Sequence, residues 1–318
     1  MMSEFNVIQQ FFTRPTRHTD MGIGDDAALI TLSKGSQLAI SADMLVAGTH
    51  FFHDADPEKL GWKSLAVNVS DMAAMSAQAK WATLAIALPR IDERWLGAFS
   101  QGFFACADTY NIDLIGGDTT RGPLTISVQI MGEAPKDSAL KRSHAKVEDD
   151  IWVSGSIGAA ALGLAHLQSK VTLTPDTLDA CLRALHSPTP RASLGIALRG
   201  IANSCIDISD GLLADLNHIL KASNLGAQID LSDIPCHHDL KNNLDDTLIQ
   251  SCILAGGDDY ELLFTAQASQ REALHQLSRT LKLPLTCIGK TTASLELNVI
   301  YKSRHLLITK QGFDHFGE

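Results

Sequence analysis

Apolar residues along this chain recur in two rhythms, and each predicts a different kind of element. Over residues 57–77, Trp62, Leu65, Ala66, Val69, Met72 and Ala73 fall at helical spacing. Ser64, Asn68 and Asp71 form a second stripe on the same helix, at i, i+4 and i+7, so Asp71 is placed to point away from the core. Leu96, Phe99, Phe103 and Cys106 mark another amphipathic helix, and residues 212–222 read as a third. Thr174-Pro175-Asp176 is a helix start, with a capping threonine and a proline in the first turn. Gly155-Ser156-Ile157-Gly158 opens an alanine-rich helix. Short continuous apolar runs predict buried strands at 37–42, 82–88, 112–115, 151–154 and 204–208. Another apolar run, 252–255, leads into Gly256-Gly257-Asp258-Asp259-Tyr260-Glu261 and then Leu262, Leu263 and Phe264.

Strands and helices mix without strict βαβ alternation, which predicts an α+β protein rather than a doubly wound sheet. The polar, charged stretch 135–150 is the candidate boundary, giving mixed α/β domains at 1–137 and 138–318, and 318 residues suit two domains of ordinary size. Hydrophobic residues make up 45% of the chain, enough for a sizeable core, and no apolar run has the length of a membrane span. The first residues carry Glu4 and lack a basic-then-apolar pattern, so no secretory signal is expected. Six scattered cysteines with no CxxC pair argue against zinc and disulfides and for a reducing cytoplasm. A net charge of −10 disfavours nucleic acid as a partner. It also means that an anionic substrate would need bound cations.

The placement of the aspartates offers a way to supply them. Asp25 and Asp26 follow Gly22-Ile23-Gly24, and Asp43 follows a strand. Asp118 and Asp258 each follow Gly-Gly, and Asp207 and Asp210 flank Ile-Ser. Glycine lets the backbone approach a ligand closely. Magnesium takes one or two carboxylates per ion plus phosphate oxygens and water, so carboxylates spread over several strand ends suit several ions along a triphosphate. Aspartate and glycine are also the commonest turn residues, and spacing alone does not bring these positions together. Other candidates are weaker. Gly289-Lys290-Thr291 ends like a P-loop, but Pro284 stands where the first glycine belongs, so a turn between strands is expected. His50, His53, His237 and His238 lack a ligand spacing and read as solvated loop residues. Lys141 and Arg142 form a basic pair in the boundary loop, able to close over phosphates. No nucleophile elbow is present, and no cysteine stands out as a nucleophile.

Five motifs then occur in order. They are Gly22-Ile23-Gly24-Asp25-Asp26-Ala27-Ala28, Asn68-Val69-Ser70-Asp71-Met72-Ala73-Ala74-Met75, Leu114-Ile115-Gly116-Gly117-Asp118-Thr119-Thr120, Asp207-Ile208-Ser209-Asp210-Gly211-Leu212 and Gly256-Gly257-Asp258-Asp259-Tyr260-Glu261-Leu262. Together they resemble the motif set of the bacterial thiamine-monophosphate kinase family, within the aminoimidazole-ribonucleotide synthetase superfamily. The resemblance extends to Gly312-Phe313-Asp314-His315-Phe316. It implies an N-terminal α+β domain whose sheet pairs with its twin in a homodimer, and a C-terminal α+β sandwich domain. It implies magnesium-dependent transfer of the ATP γ-phosphoryl to thiamine monophosphate, giving thiamine diphosphate, with several Mg2+ ions and ATP as co-substrate.

Carried over position by position, Asp26, Ser41, Ala42, Asp43, Asp71, Asp118, Asp207 and Asp210 match metal positions. Gly117, Asp118, Arg142 and Ser209 match ATP contacts, and His50, Asp258 and Phe313 match substrate contacts. Asp118, Arg142 and Asp210 are the residues expected to act in catalysis. Ala42 stands where the family often has a threonine that lends its backbone oxygen, Asp258 where it has glutamate, and Phe313 where it has tyrosine or tryptophan. These departures bear on the thiamine pocket more than on the reaction. Asp258 has a second reading as a cap for the segment that starts at Asp259. Relatives in the same superfamily want a reactive cysteine near the N-terminus (selenophosphate synthetase) or at the C-terminus (the hydrogenase-maturation dehydratase), and neither position has one here. A non-catalytic nucleotide or divalent-ion binder is the alternative from another class.

Overall fold

A computed structural model describes residues 3–307, 312, 313, 315 and 316. Of the motif positions above, Asp314 lies outside the described residues. The chain divides into two compact units, one of Met1–Met72 and Ala77–Asp137, the other of Ala73–Ser76 and Ser138–Glu318. Each unit carries a mixed sheet with helices, the α+β arrangement expected from the pattern.

In the first unit, the short helix α1 (Glu4–Val7) precedes β1 (Ser36–Val46), α2 (Pro57–Ala74), β2 (Gln78–Leu88), α3 (Glu93–Tyr110), β3 (Asp113–Arg121) and β4 (Thr125–Pro135). The strand order is β1-β4-β2-β3, with β4 antiparallel to both neighbours and β2 parallel to β3. The parallel pair is joined by α3, as a crossover between parallel strands requires. Asp92 caps α3 by accepting the backbone N–H groups of Arg94 and Trp95, and Asn111 ends it in a left-handed conformation. The apolar stripe of α2 (Leu65, Ala66, Val69, Met72) and that of α3 (Leu96, Phe99, Phe103) are buried, as are Trp81, Leu84 and Ile86 of β2 and Ile126, Val128 and Ile130 of β4. The two helices approach closely because two positions lack a side chain. A Cβ on Gly61 would lie 2.0 Å from the Phe99 oxygen, and one on Gly102 1.8 Å from the Glu58 oxygen.

Four boundaries differ from the local pattern, the first being that of β2, which begins at Gln78 rather than 82. Helix α2 stops at Ala74 rather than 77, where Ser76 turns into the left-handed region with φ 56°. Strand β1 runs on through Asp43, which pairs with Val128, and β3 contains Gly116-Gly117-Asp118 instead of ending before them. Both extensions are made by ladder pairing with a neighbouring strand, which polar and glycine residues join as readily as apolar ones when the partner is in register.

In the second unit the elements are β5 (Asp150–Ser154), α4 (Ala159–Leu167), α5 (Pro175–His186), α6 (Ala192–Ala197), β6 (Ser204–Asp207), α7 (Leu212–Ser223), β7 (Gly226–Asp230), α8 (His238–Lys241), α9 (Thr247–Ala255), β8 (Leu262–Ala266), α10 (Arg271–Leu281), β9 (Leu285–Thr292), β10 (Leu297–Tyr301) and β11 (Arg304–His305). Seven strands form the order β11-β10-β7-β9-β5-β8-β6. Successive residues of the central strand β5 enter different cores. Ile151 and Val153 join one cluster with Leu213 and Leu216 of α7, and Trp152 joins another with Phe264 and Leu274. Strands β5, β6 and β8 are buried on both faces, which explains why they read as unbroken apolar runs, whereas β7, β9, β10 and β11 keep partly exposed positions. Thr174 caps α5 with Pro175 in its first turn. Gly289-Lys290-Thr291 is not a turn between strands: it lies inside β9, and the Thr291 hydroxyl donates to the Lys146 oxygen at 2.5 Å.

Candidate active site

In the first unit, the polar stripe of α2 meets β1. The Ser41 hydroxyl lies 2.5 Å from the Asp71 carboxylate, and the Asp43 backbone N–H donates to Asn68 Oδ1 at 3.2 Å. Asn68 is fully buried and aimed by its own bond from Nδ2 to the Ser64 oxygen. Ala42, between Ser41 and Asp43, points by the pleat to the other face of β1. Asp43, Val128, Leu84 and Gly117 form one row across all four strands. Gly117 has φ 152°, and a Cβ there would sit 1.8 Å from the Leu84 oxygen, so only glycine fits the position that leads into Asp118. Asp118 is exposed beside this row, opposite Ala85. Asp26 lies on an exposed loop closed by the Met21–Leu29 bridge, and donates its N–H to the Asp25 carboxylate. His50 follows β1 in a turn where its Nδ1 accepts the Val46 N–H at 2.9 Å. The side chains gathered at Ser41, Asp43 and Asp71 offer hard oxygen donors, the chemistry that suits Mg2+.

In the second unit, β6 delivers Asp207, buried to 4% exposure, into the loop 208–211. This loop is held by backbone bonds on two sides. The Ile208, Ser209 and Asp210 carbonyls accept the N–H groups of Tyr260, Asp258 and Phe313, at 2.8, 2.9 and 3.0 Å. The N–H groups of Ser209, Asp210 and Gly211 all donate to Oδ2 of Asp215, at 3.0, 3.1 and 3.1 Å. Ser209 and Asp210 are thereby joined directly to Asp258 and Phe313. Asp258 sits in the left-handed region with φ 68°, and its carboxylate accepts the Tyr260 hydroxyl at 2.9 Å. No helix starts at Asp259; β8 follows at Leu262, so the capping reading of Asp258 does not apply. Phe313 is 47% exposed.

Behind this loop lies a buried polar network. Glu261 is paired in two-pronged fashion with Arg191, through Nε at 2.6 Å and through NH2, and accepts the Ser154 hydroxyl at 2.5 Å. Asp259 accepts the Gly158 N–H at 2.9 Å, tying residues 155–158 to the same segment. Burial pushes the Asp259 carboxyl well above the usual range, and the negative Glu261, Asp258 and Asp215 add to the shift. Burial likewise pushes Asp215 up to about 7, with Asp210 adding and the three N–H donors opposing. Each shift favours the protonated, neutral form of its carboxyl, which limits the negative charge gathered beside the loop. Arg142 is exposed at a short 3-10 turn. His218 of α7 is depressed first by burial, then by the positive Arg142, while Asp210 acts in the other direction, so all three share one electrostatic neighbourhood. His237 and His238 belong to the start of α8, where they and Asp239 bring ligand atoms within 4.8 Å of one another. All six cysteines are free, and burial pushes every thiol up, Cys181 to about 11 and Cys252 to about 12, so none is a thiolate nucleophile near neutral pH.

Sequence reasoning did not single out Asp215, Arg191 or Tyr260. Asp215 is four residues beyond Gly211 inside an apolar helix stripe, a position where a carboxylate is a signal in itself. Arg191 carried no such signal, because its partner is 70 residues away.

The chain matches two family models, the AIR synthase related protein N-terminal domain over residues 24–134 and the corresponding C-terminal domain over 146–302. It is 45% identical to the thiamine-monophosphate kinase of Salmonella typhimurium over 99% of this chain and 98% of that one. The chain belongs to the thiamine-monophosphate kinase family. Family likeness holds in three dimensions as well. The crystal structure of the thiamine-monophosphate kinase from Stenotrophomonas maltophilia aligns with a TM-score of 0.83 at 47% identity, covering 89% of this chain and 91% of that one. A further family structure, AaThiL complexed with AMPPCP and TMP, aligns with a TM-score of 0.78 at 27% identity over 99% and 97% of the two chains. Among the described residues, no helix is long and apolar enough to cross a membrane.

Proposed function

We infer that this chain phosphorylates thiamine monophosphate with ATP, giving thiamine diphosphate and ADP. The observation that carries this is full-length identity of 45% to a family of that name, together with a family structure holding AMPPCP and TMP. In the first unit, we assign Asp26, Ser41, Ala42, Asp43, Asp71 and Asp118 to magnesium, Gly117 and Asp118 to ATP, and His50 to the substrate. In the second, Asp207 and Asp210 would hold magnesium, Arg142 and Ser209 would contact ATP, and Asp258 and Phe313 would contact thiamine monophosphate. The domains would be 1–137 and 138–318, with Asp118, Arg142 and Asp210 acting on the transferring group. The oxygen-only donor set of Ser41, Asp43 and Asp71 supports Mg2+. When bound, such ions neutralise polyphosphate charge and lower the barrier to in-line transfer.

The chain's own residues then have positioning roles. The acceptor is already a phosphate, so no side chain need supply a nucleophile, in keeping with the protonated thiols. Arg142 offsets charge as the γ-phosphoryl leaves ADP, with its guanidinium always charged. Asp258, held by the Tyr260 hydroxyl, presents an anion to a substrate whose thiazolium ring is permanently cationic. Homodimerisation has its own support in the first unit, where edge strand β1 exposes Leu38, Ile40 and Met44 at 37%, 56% and 56%. An apolar edge strand of this kind is ordinarily covered. Sedimentation equilibrium at micromolar concentration should give twice 34.3 kDa, and a monomer alone would refute the pairing. The free cysteines support placement in the cytoplasm.

The deciding assay follows thiamine diphosphate and ADP formation together from ATP and thiamine monophosphate. Stoichiometric formation of both is expected, abolished by chelator and restored by magnesium. ADP release that ignores thiamine monophosphate would overturn the substrate, and full turnover in excess chelator would overturn the metal.

A further inference from the structure

Three consecutive peptide groups of the loop 208–211 are each fixed at both ends. The first carries the Ile208 carbonyl and the Ser209 N–H, the second the Ser209 carbonyl and the Asp210 N–H, and the third the Asp210 carbonyl and the Gly211 N–H. Every N–H goes to one oxygen, Oδ2 of Asp215, at 3.0 to 3.1 Å. Every carbonyl goes to a different residue of the candidate substrate segments: Tyr260, Asp258 and Phe313. Asp215 is 2% exposed and sits one turn inside α7. Gly211, at the head of that helix, has no side chain with which to cap it. An ordinary capping carboxylate takes the N–H groups of the first helical turn. This one reaches back past the helix start to the residues before it.

We propose that Asp215 is a positioning residue that sets the orientation of the Ser209–Asp210 peptides, and through their carbonyls aligns the nucleotide-side and substrate-side residues of the second unit; this rests on the kinase reading above. A single oxygen taking three N–H groups leaves each peptide plane one orientation. The opposite carbonyl then points where Tyr260, Asp258 or Phe313 can donate to it. Without the carboxylate, each plane is free to rotate. Ser209 and Asp210 then lose their aim, and Asp258 and Phe313 lose their anchor in the same event. The effect is expected on both substrates at once, which separates this role from that of a residue touching one ligand.

The test compares Asp215→Ala, Asp215→Asn and Asp210→Asn, with kinetics measured well below the melting temperature of each variant. Asp215→Ala should lower kcat about a hundredfold, the cost of misplacing reacting groups by roughly 1 Å, and raise KM for both ATP and thiamine monophosphate. Asp215→Asn keeps a neutral acceptor oxygen and should lie between, with kcat down about two- to tenfold. Amide hydrogen exchange at Asp210 and Gly211 should speed up in the order wild type, Asn, Ala. A merely structural role predicts a lower melting temperature with kcat and both KM values unchanged, and that result overturns the proposal. If the alanine variant does not fold, the asparagine variant decides, and wild-type kcat with wild-type exchange at the loop overturns the proposal. Asp210→Asn is the control on the reading beneath it. If that variant keeps full activity, the loop has no part in the chemistry and the kinase assignment of Asp210 falls, taking the positioning role with it. If it is inactive while Asp215→Ala is normal, only the role of Asp215 is wrong.

Discussion

Replacing Gly117 with alanine adds one methyl group where β3 passes against β2. The new Cβ would stand 1.8 Å from the Leu84 oxygen, 2.6 Å from its carbon and 2.9 Å from its nitrogen. Real Cβ contacts essentially never fall below 3.0 Å, so β3 must move by about 1.2 Å, the difference between the two distances. All three obstructing atoms are backbone, and no side chain can swing away to relieve them. The left-handed φ of 152° adds strain of about 1 kcal/mol for any residue with a Cβ. Overpacking of this kind costs about 1–3 kcal/mol, so a total near 2–4 kcal/mol is expected. Asp118 is the next residue and moves with the strand, and a displacement of roughly 1 Å at a reacting centre costs about a hundredfold in rate. Gly116 is an internal control. A Cβ there meets only Thr83 Cγ2 at 3.9 Å, an ordinary contact. The assay is thiamine diphosphate formation at saturating ATP and thiamine monophosphate, with thermal unfolding of both variants. Gly116→Ala should behave as wild type, while Gly117→Ala should lose about two orders of magnitude in kcat and melt several degrees lower. Equal behaviour of the two variants would show that backbone approach at Gly117 is not what sets the position of Asp118.

Asp43→Asn and Asp71→Asn should each lower kcat by about two orders of magnitude with little change in melting temperature, as expected for loss of charge stabilisation; near-wild-type rates in both would return them to ordinary strand and helix residues. Arg191→Leu removes the two-pronged partner of buried Glu261, and should cost about 3 kcal/mol, the lower end of the range because Arg191 is itself 24% exposed; denaturant unfolding checks this, and an unchanged midpoint refutes it. Asp258→Asn should raise KM for thiamine monophosphate several-fold and leave KM for ATP unchanged, whereas a rise in KM for ATP alone would move Asp258 to the metal aspartates.

Local sequence carried much of the architecture because helices are local objects. The stripes of α2, α3 and α7 are set by neighbours three and four residues apart, and the Thr174-Pro175 start of α5 by a cap and a fixed φ. Motif order identified the family because five short motifs in sequence are far more specific than any one of them. The sequence also placed Ser64, Asn68 and Asp71 on one helix stripe, since their spacing alone determines that they share a face.

Only the tertiary structure decided what lies opposite those residues. That Asp43 lies within a strand, that Gly117 is pressed against Leu84, and that Gly289-Lys290-Thr291 is strand rather than turn all depend on ladder partners distant along the chain. Side-chain bonds of long sequence separation were equally out of reach: Ser41 to Asp71, Arg191 to Glu261, and Asp259 to Gly158 span 30, 70 and 101 residues. Asp215 is the clearest case. Its bonds reach only four to six residues, yet their meaning comes from the carbonyls of the same peptides, which are taken by Tyr260, Asp258 and Phe313 far along the chain. A sequence window records which groups a segment offers, whereas hydrogen bonds depend on distance and direction, and these exist only once the sheet has brought β6 and β8 side by side.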